Sequence, residues 1–378
     1  MLGEKEIEFL NNLDINAFNA AIKDNQPIFE HRIERFKPFM KVLLFYYDSL
    51  PRVSVKNGSK DFSTQELIDT TLAFYKKLSP ETYKRAKATL SGKTREVILH
   101  DPREFPSFDG ERGKKLGHHR NSCGFRQGKK YIELEPESHL SGYVRVAHEL
   151  GHACSQFKFK DNDWFKEVLL SEVDSRFAEL LITDYLATKG EITEEERIDL
   201  INYFTAEQVE KLSYCICEAK TMFALMQIQE GGDITKQDLQ EMCENMSGPI
   251  VDAFERLSCT KNTFGSKKGG YFEYELQYIV GTIVATKMFN EFKDDTRYMK
   301  WFDKNFLDTI DKLTFEEGII YLGNRGMTVE QIKGMDKDKR QQLFGSTMND
   351  MLAEHLAFAE DNNLRAKQLE QDKAPALR

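Results

Sequence analysis

The chain has 378 residues, 40% of them apolar and 30% charged, with nine prolines and 23 glycines; one large domain or two ordinary ones can bury a sizeable core, and long disordered stretches are disfavoured. The net charge of -9 supplies no basic field for gathering phosphates, and no window clusters Lys and Arg with spaced aromatics, which excludes nucleic acid as a partner. Six cysteines, Cys123, Cys154, Cys215, Cys217, Cys243 and Cys259, are too sparse for a disulfide framework and read as reduced thiols.

In chain order, residues 4 to 50 alternate apolar and charged positions at helical spacing, with breaks near Pro27 and at Pro51. Ser63 and Thr64 precede Glu66 as a helix start, and the spacing predicts helices over Gln65 to Leu78 and Glu81 to Leu90. The pattern changes after Arg95. Glu96 to His100, Ser122 to Arg126 and Lys130 to Leu134 read as strands, the last two joined by the turn residues Gln127 and Gly128. Helical periodicity returns from Gly142 to about Leu239, from Tyr271 to Phe292 and through most of the C-terminus, with Arg365 to Arg378 polar enough to fray.

The expected fold class is therefore mainly α with one small β-sheet, read as an N-terminal helical region (1–95), a central core (96–292) and a C-terminal helical region (293–378) forming one unit. The longest apolar runs fall far short of the ~18 residues of a membrane span, so none is expected. The start MLGEKEIEFLNN carries acids where a secretory signal needs a basic stretch and an apolar run, which points to a cytoplasmic protein, with export by a specialised signal left open.

Chemistry concentrates in Ala147-His148-Glu149-Leu150-Gly151-His152, which contains the pattern HExxH. Positions four apart share a helix face, so both imidazoles can reach one zinc ion while Glu149 reaches a water bound to it as general base. Composition alone gives this pattern in roughly one such sequence in a hundred. A catalytic zinc takes three protein ligands and one open position. Glu172, 20 residues after His152, leaves room for a loop and an antiparallel return helix. Seven residues further along the same face, Glu179 is the candidate to orient a ligand histidine, with Asp174 as competitor. The plain alternative makes Glu172 and Glu179 part of a solvated face with Glu167 and Arg176.

These residues carry a resemblance. The runs HRNSCGFRQGKKYIELEPESHLSGYVRVAHELGHA and SEVDSRFAELLITDYL resemble the thimet oligopeptidase and oligoendopeptidase F family of zinc metallopeptidases (family M3). MFALMQIQEGGDITKQDL and GGYFEYELQYIVGTIVATKMF resemble its following helices and tyrosine-bearing segment. The likeness runs from about Thr64 to Phe292. It implies a zincin-like helical fold with a deep cleft, one zinc per chain and hydrolysis of peptide bonds. It also implies an extended substrate laid on an edge strand near Ser122, Cys123, Gly124 and Phe125, and an oxyanion donor among Tyr271, Tyr274 and Tyr278.

The chain departs from the family in two ways. The family's histidine ahead of those tyrosines is missing: between His152 and His355 there is none, and Lys267 and Lys268 occupy the neighbourhood. The chain is also shorter, lacking much of the N-terminal helical region, so a wider opening that admits longer or partly unfolded polypeptides is expected. Two other readings stay open: a catalytically silent relative that binds peptides or a partner protein, and a regulatory metalloprotease of the ImmA/IrrE type, whose third-ligand segment also resembles EVDSRFAELL. His118 and His119, in a Gly- and Arg-rich loop, read as solvated, Cys154 as a buried filler, and Arg120 and Arg126 as loop charges or peptide contacts.

Overall fold

Helix starts follow local chemistry closely. Ser63 accepts a hydrogen bond from the Glu66 amide while the Glu66 carboxylate accepts from the Ser63 amide, a reciprocal cap that Thr235 with Asp238, Thr314 with Glu317 and Thr328 with Gln331 repeat. The computed structural model describes residues 2–30 except 28, 61–99 except 95, 122–126, 129–134, 139–155, 170–246 except 171, 250–258, 271–294, and 309–373 except 311 and 325. Among these the helices are α1 (Glu4–Asn12), α2 (15–27), α3 (Thr64–Leu78), α4 (Pro80–Leu90), α5 (Ser141–Ser155), α6 (Val173–Lys189), α7 (Glu194–Gly231), α8 (Lys236–Asn245), α9 (Ile250–Leu257), α10 (Tyr271–Phe292), α11 (Phe315–Gly323), α12 (Val329–Lys333) and α13 (Lys337–Lys373). The strands are β1 (Glu96–Leu99), β2 (Ser122–Arg126) and β3 (Lys129–Leu134).

Among the described residues the molecule is mainly helical with one small sheet, as the periodicity implies. The C-terminal segment differs from expectation: instead of fraying from Arg365, α13 continues to Lys373. An i,i+4 pair leads into that stretch, with Arg365 Nε 3.0 Å from Asp361 Oδ2. No described helix is long and apolar enough to cross a membrane.

Contacts divide the chain into two units, residues 1–50 with 208–279 and residues 51–207 with 280–378. The described residues of the first form a helical cluster. Phe18, Ile22, Phe29, Leu225, Leu239 and Phe254 form its core, with Phe9 stacked on Phe254 at 5.5 Å and Phe18 edge-on to it at 6.1 Å. Buried Asn19 stitches α2 to the segment before α8, donating to the Ile234 carbonyl (2.7 Å) and accepting from the Ile234 amide (2.8 Å).

The second unit contains the sheet and the HExxH helix. Its strands run in the order β1-β3-β2, with β1 parallel to β3, β2 antiparallel to it, and Cys123 opposite Ile132. Ile132 and Leu134 are buried while Tyr131 and Glu133 are half-buried, the alternation of a sheet covered on one face. Strands β2 and β3 and helices α3, α4 and α6 all pack on α5. From α3, the Tyr75 hydroxyl donates to the Ala147 carbonyl at 3.0 Å, fixing α5 one residue before His148.

Candidate metal centre

Helix α6 cannot be a surface helix. Every residue from Val173 to Thr183 is buried, polar ones included, so its acids and its arginine are placed against protein rather than water. The close approach to α5 is set by a glycine: a Cβ on Gly151 would lie 2.9 Å from Ser175 Cα. The pairs His152 with Glu172, Gly151 with Ser175 and His148 with Glu179 show α6 running antiparallel to α5.

Glu172 sits at the N-cap of α6 rather than inside it, in helical backbone geometry and with no side-chain capping bond. Its carboxylate is therefore available to the histidines. Ser175 Oγ lies 3.0 Å from its carbonyl oxygen and 3.2 Å from Oε2. Behind it, α10 comes so close that a Cβ on Gly281 would lie 2.6 Å from Glu172 Cβ and 3.1 Å from its carbonyl oxygen.

Three ligand atoms converge. His148 Nε2 and His152 Nε2 are 3.1 Å apart, and Glu172 Oε2 is 3.3 Å from the first and 3.5 Å from the second. Atoms on a tetrahedron with metal bonds of about 2.0–2.1 Å are separated by roughly 3.3–3.4 Å, so the triangle has the size that one such ion demands. The donor set fits in kind as well. His148 Nδ1 lies 2.5 Å from Glu179 Oε1; with the proton assigned to Nδ1, Nε2 turns a lone pair toward Glu172 and His152. Lone pairs meeting at this spacing suit a cation. His148, His152 and Glu172 can together hold a metal ion.

Charge around the cluster is mutually dependent. Burial depresses the His148 pKa, but hydrogen bonds to Glu172 and Glu179 outweigh it and raise the group to about 10. His152 is likewise pulled down by burial and raised overall by Glu172. Burial works against ionised Glu172, yet the two imidazoles hold its carboxyl well below the usual range. Glu149 is the exception: burial pushes its carboxyl up, and the neighbouring imidazoles offset this only in part. A carboxylate with enhanced proton affinity beside a cation site is suited to shuttling a proton.

Other expectations distribute as follows. Glu179, not Asp174, faces His148; Asp174 Oδ1 accepts from the Ser175 amide instead. The solvated-face alternative fails on burial, with Glu172 4%, Glu179 2% and Arg176 1% exposed. Ser122, Cys123, Gly124 and Phe125 lie on β2, an edge of the described sheet, next to α5. Cys154 is buried, its thiol facing the Thr82 carbonyl. Tyr271, Tyr274 and Tyr278 begin α10; they belong to the first unit, where the Lys211 ammonium stands 3.3 Å from the centre of the Tyr278 ring. Glu167, His118, His119, Arg120, Gln127, Gly128, Lys267 and Lys268 lie outside the described residues.

Sequence reasoning missed Arg176, Ser175 and Gly281. The last had a legible signal, an isolated glycine in the apolar run Tyr278 to Phe289, which in a helix usually marks a close approach. Arg176 had none, because it shares the polar stripe of its helix with Glu172, Ser175, Glu179 and Thr183 and reads from sequence as part of a solvated face.

No protein-family model matches the chain, and no curated protein matches it. Among solved structures it is similar to a crystal structure from Chlamydophila abortus, named provisionally as a peptidase, with 17% identity and a TM-score of 0.44. The similarity covers 91% of this chain and 56% of that one, so the chain spans little more than half of that protein's length.

Proposed function

We propose that this chain is a zinc-dependent endopeptidase or oligopeptidase of the gluzincin type, a divergent relative of family M3. The observation that carries the reading is the triangle of His148 Nε2, His152 Nε2 and Glu172 Oε2, with sides of 3.1, 3.3 and 3.5 Å. A zinc ion, if held by these atoms, would supply Lewis acidity, acidifying a water toward a pKa of about 7 and polarising a carbonyl.

The chain's own residues supply the rest. Glu149, buried and raised in pKa, takes a proton from the attacking water and delivers it to the leaving amine. Glu179 holds the His148 ring so that Nε2 faces inward. Strand β2, at the edge of the described sheet, offers main-chain donors and acceptors to an extended peptide, with Ser122 to Phe125 as the contact segment. By resemblance, one of Tyr271, Tyr274 and Tyr278 donates to the oxyanion.

The test is cleavage of mixed short peptides and of denatured and native proteins by the zinc-loaded chain and by Glu149→Gln. The expected result is loss of about 100-fold or more in turnover with zinc content unchanged. Tyr274→Phe and Tyr278→Phe, measured alongside, are expected to lower kcat more than KM if either donates to the oxyanion. The second reading, a peptide-binding relative without activity, is favoured by the absence of any histidine between His152 and His355. Stoichiometric zinc without cleavage of any substrate, in wild type as in Glu149→Gln, selects it.

A further inference from the structure

Arg176 is among the largest fully buried side chains, 1% exposed, on a helix buried from Val173 to Thr183. Its Nη1 lies 3.2 Å from Glu179 Oε1 and 3.1 Å from Oε2, and its guanidinium carbon stands 5.9 Å from the centre of the Phe204 ring. Glu179 Oε1 is thus shared by two donors, Arg176 Nη1 and His148 Nδ1. An arginine three residues before a glutamate gives only a weak helix pair, in the less favourable order. Taking both charges out of water costs far more than such a pair returns. Helix stabilisation therefore does not account for the arginine, and a buried ion pair of this kind is better explained by what it orients.

We infer that Arg176 is a positioning residue for the metal centre: by gripping both carboxylate oxygens of Glu179 it fixes Oε1 on His148 Nδ1, and so aims His148 Nε2 at the ion. A carboxylate on a glutamate side chain can rotate about its terminal bond. Nη1, bridging the two oxygens, opposes that rotation. Phe204 backs the guanidinium with its ring, a cation–π contact on the same cation. The chain of contacts Phe204, Arg176, Glu179, His148 extends the orientation of one ligand two residues beyond the partner that sequence spacing identifies.

The inference rests on the zinc reading above, and the experiment separates the two. Zinc affinity of the full-length protein is measured by competition with a chromophoric chelator for wild type, Arg176→Met, Glu179→Gln and the double variant. Arg176→Met keeps the stem and removes the grip; its affinity is expected to fall about tenfold to a hundredfold, the range for loss of a partner behind a metal ligand. On the Glu179→Gln background the same substitution is expected to change affinity less than twofold, because the arginine acts through that carboxylate. Affinity of Arg176→Met equal to wild type, or an equal further loss on both backgrounds, overturns the inference while leaving the zinc site intact. Wild type that takes up no zinc overturns both. If Arg176→Met does not purify folded, Arg176→Gln, whose amide is two bonds too short to reach Glu179, is read by the same criteria.

Discussion

Two buried histidines of the same unit behave in opposite ways. His148, between α5 and α6, faces Glu172 and Glu179 and is raised to about 10. His355, on α13, is entirely buried with its Nδ1 2.7 Å from Thr286 Oγ1, and burial lowers it to about 3. Burial by itself always favours the neutral ring; what reverses the outcome at His148 is a pair of carboxylates brought in by a second helix. A core histidine and a ligand histidine are thus distinguished by their partners and not by their exposure.

The largest effect is expected at the ligands. His148→Ala and His152→Ala should abolish stoichiometric zinc measured by elemental analysis, and Glu172→Ala should weaken it strongly, whereas His355→Leu should leave zinc unchanged. Equal metal content in all four breaks the distinction drawn between the two histidines.

Next comes Gly281→Ala. In an open helix this change stabilises by about 1 kcal/mol, but here the new methyl meets the Cβ and backbone of Glu172. The sign is expected to reverse, to a loss of about 1–3 kcal/mol by thermal or denaturant unfolding, together with weaker zinc binding. A stabilised variant with normal zinc affinity removes Gly281 from the support of the ligand.

The two histidines also differ in the pH range they govern. With its folded pKa depressed to about 3 from 6.5, His355 takes its proton more readily in the unfolded chain. Its contribution is fully present above about pH 6.5 and is lost as pH falls toward 3, amounting to a few kcal/mol. The raised His148 has the opposite sign in metal-free protein, stabilising below pH 6.5 and losing that contribution as pH rises through 10. Unfolding of metal-free wild type and His355→Leu between pH 7 and 4 checks this: the leucine variant is expected to lose less stability on acidification, and parallel curves would contradict it.

The smallest effect is expected at the exposed pair Lys23 with Asp233, 2.6 Å apart but more than half exposed on both sides. Lys23→Ala should cost no more than about 1 kcal/mol in denaturant unfolding. A larger loss would mean that surface pairing in the first unit matters on the scale of the buried Arg176 and Glu179 pair.

Much of the fold was legible locally. The cap at Ser63, the helix break at Ser79, the strand Lys129–Leu134 and the helix Tyr271–Phe292 follow from residue chemistry within a few positions, because caps, turns and periodicity act over one or two turns of chain. The parallel pairing of β1 with β3 and the extension of α13 past Arg365 were not legible, since the first depends on a distant segment and the second runs through polar residues with no apolar periodicity to mark it.

For the candidate site, the order of residues alone determined that His148 and His152 share one helical face with Glu149 beside it, and it nominated Glu172 and Glu179 by their spacing from that face. Only the tertiary structure decided that Glu172 stands ahead of its helix with its carboxylate free to turn inward, that Glu179 outranks Asp174, and that Gly151, Gly281 and Arg176 hold the arrangement. Helical periodicity specifies direction around an axis. The distance between axes, and therefore which side chains meet across them, comes from glycines and buried charges whose partners lie far away in the chain.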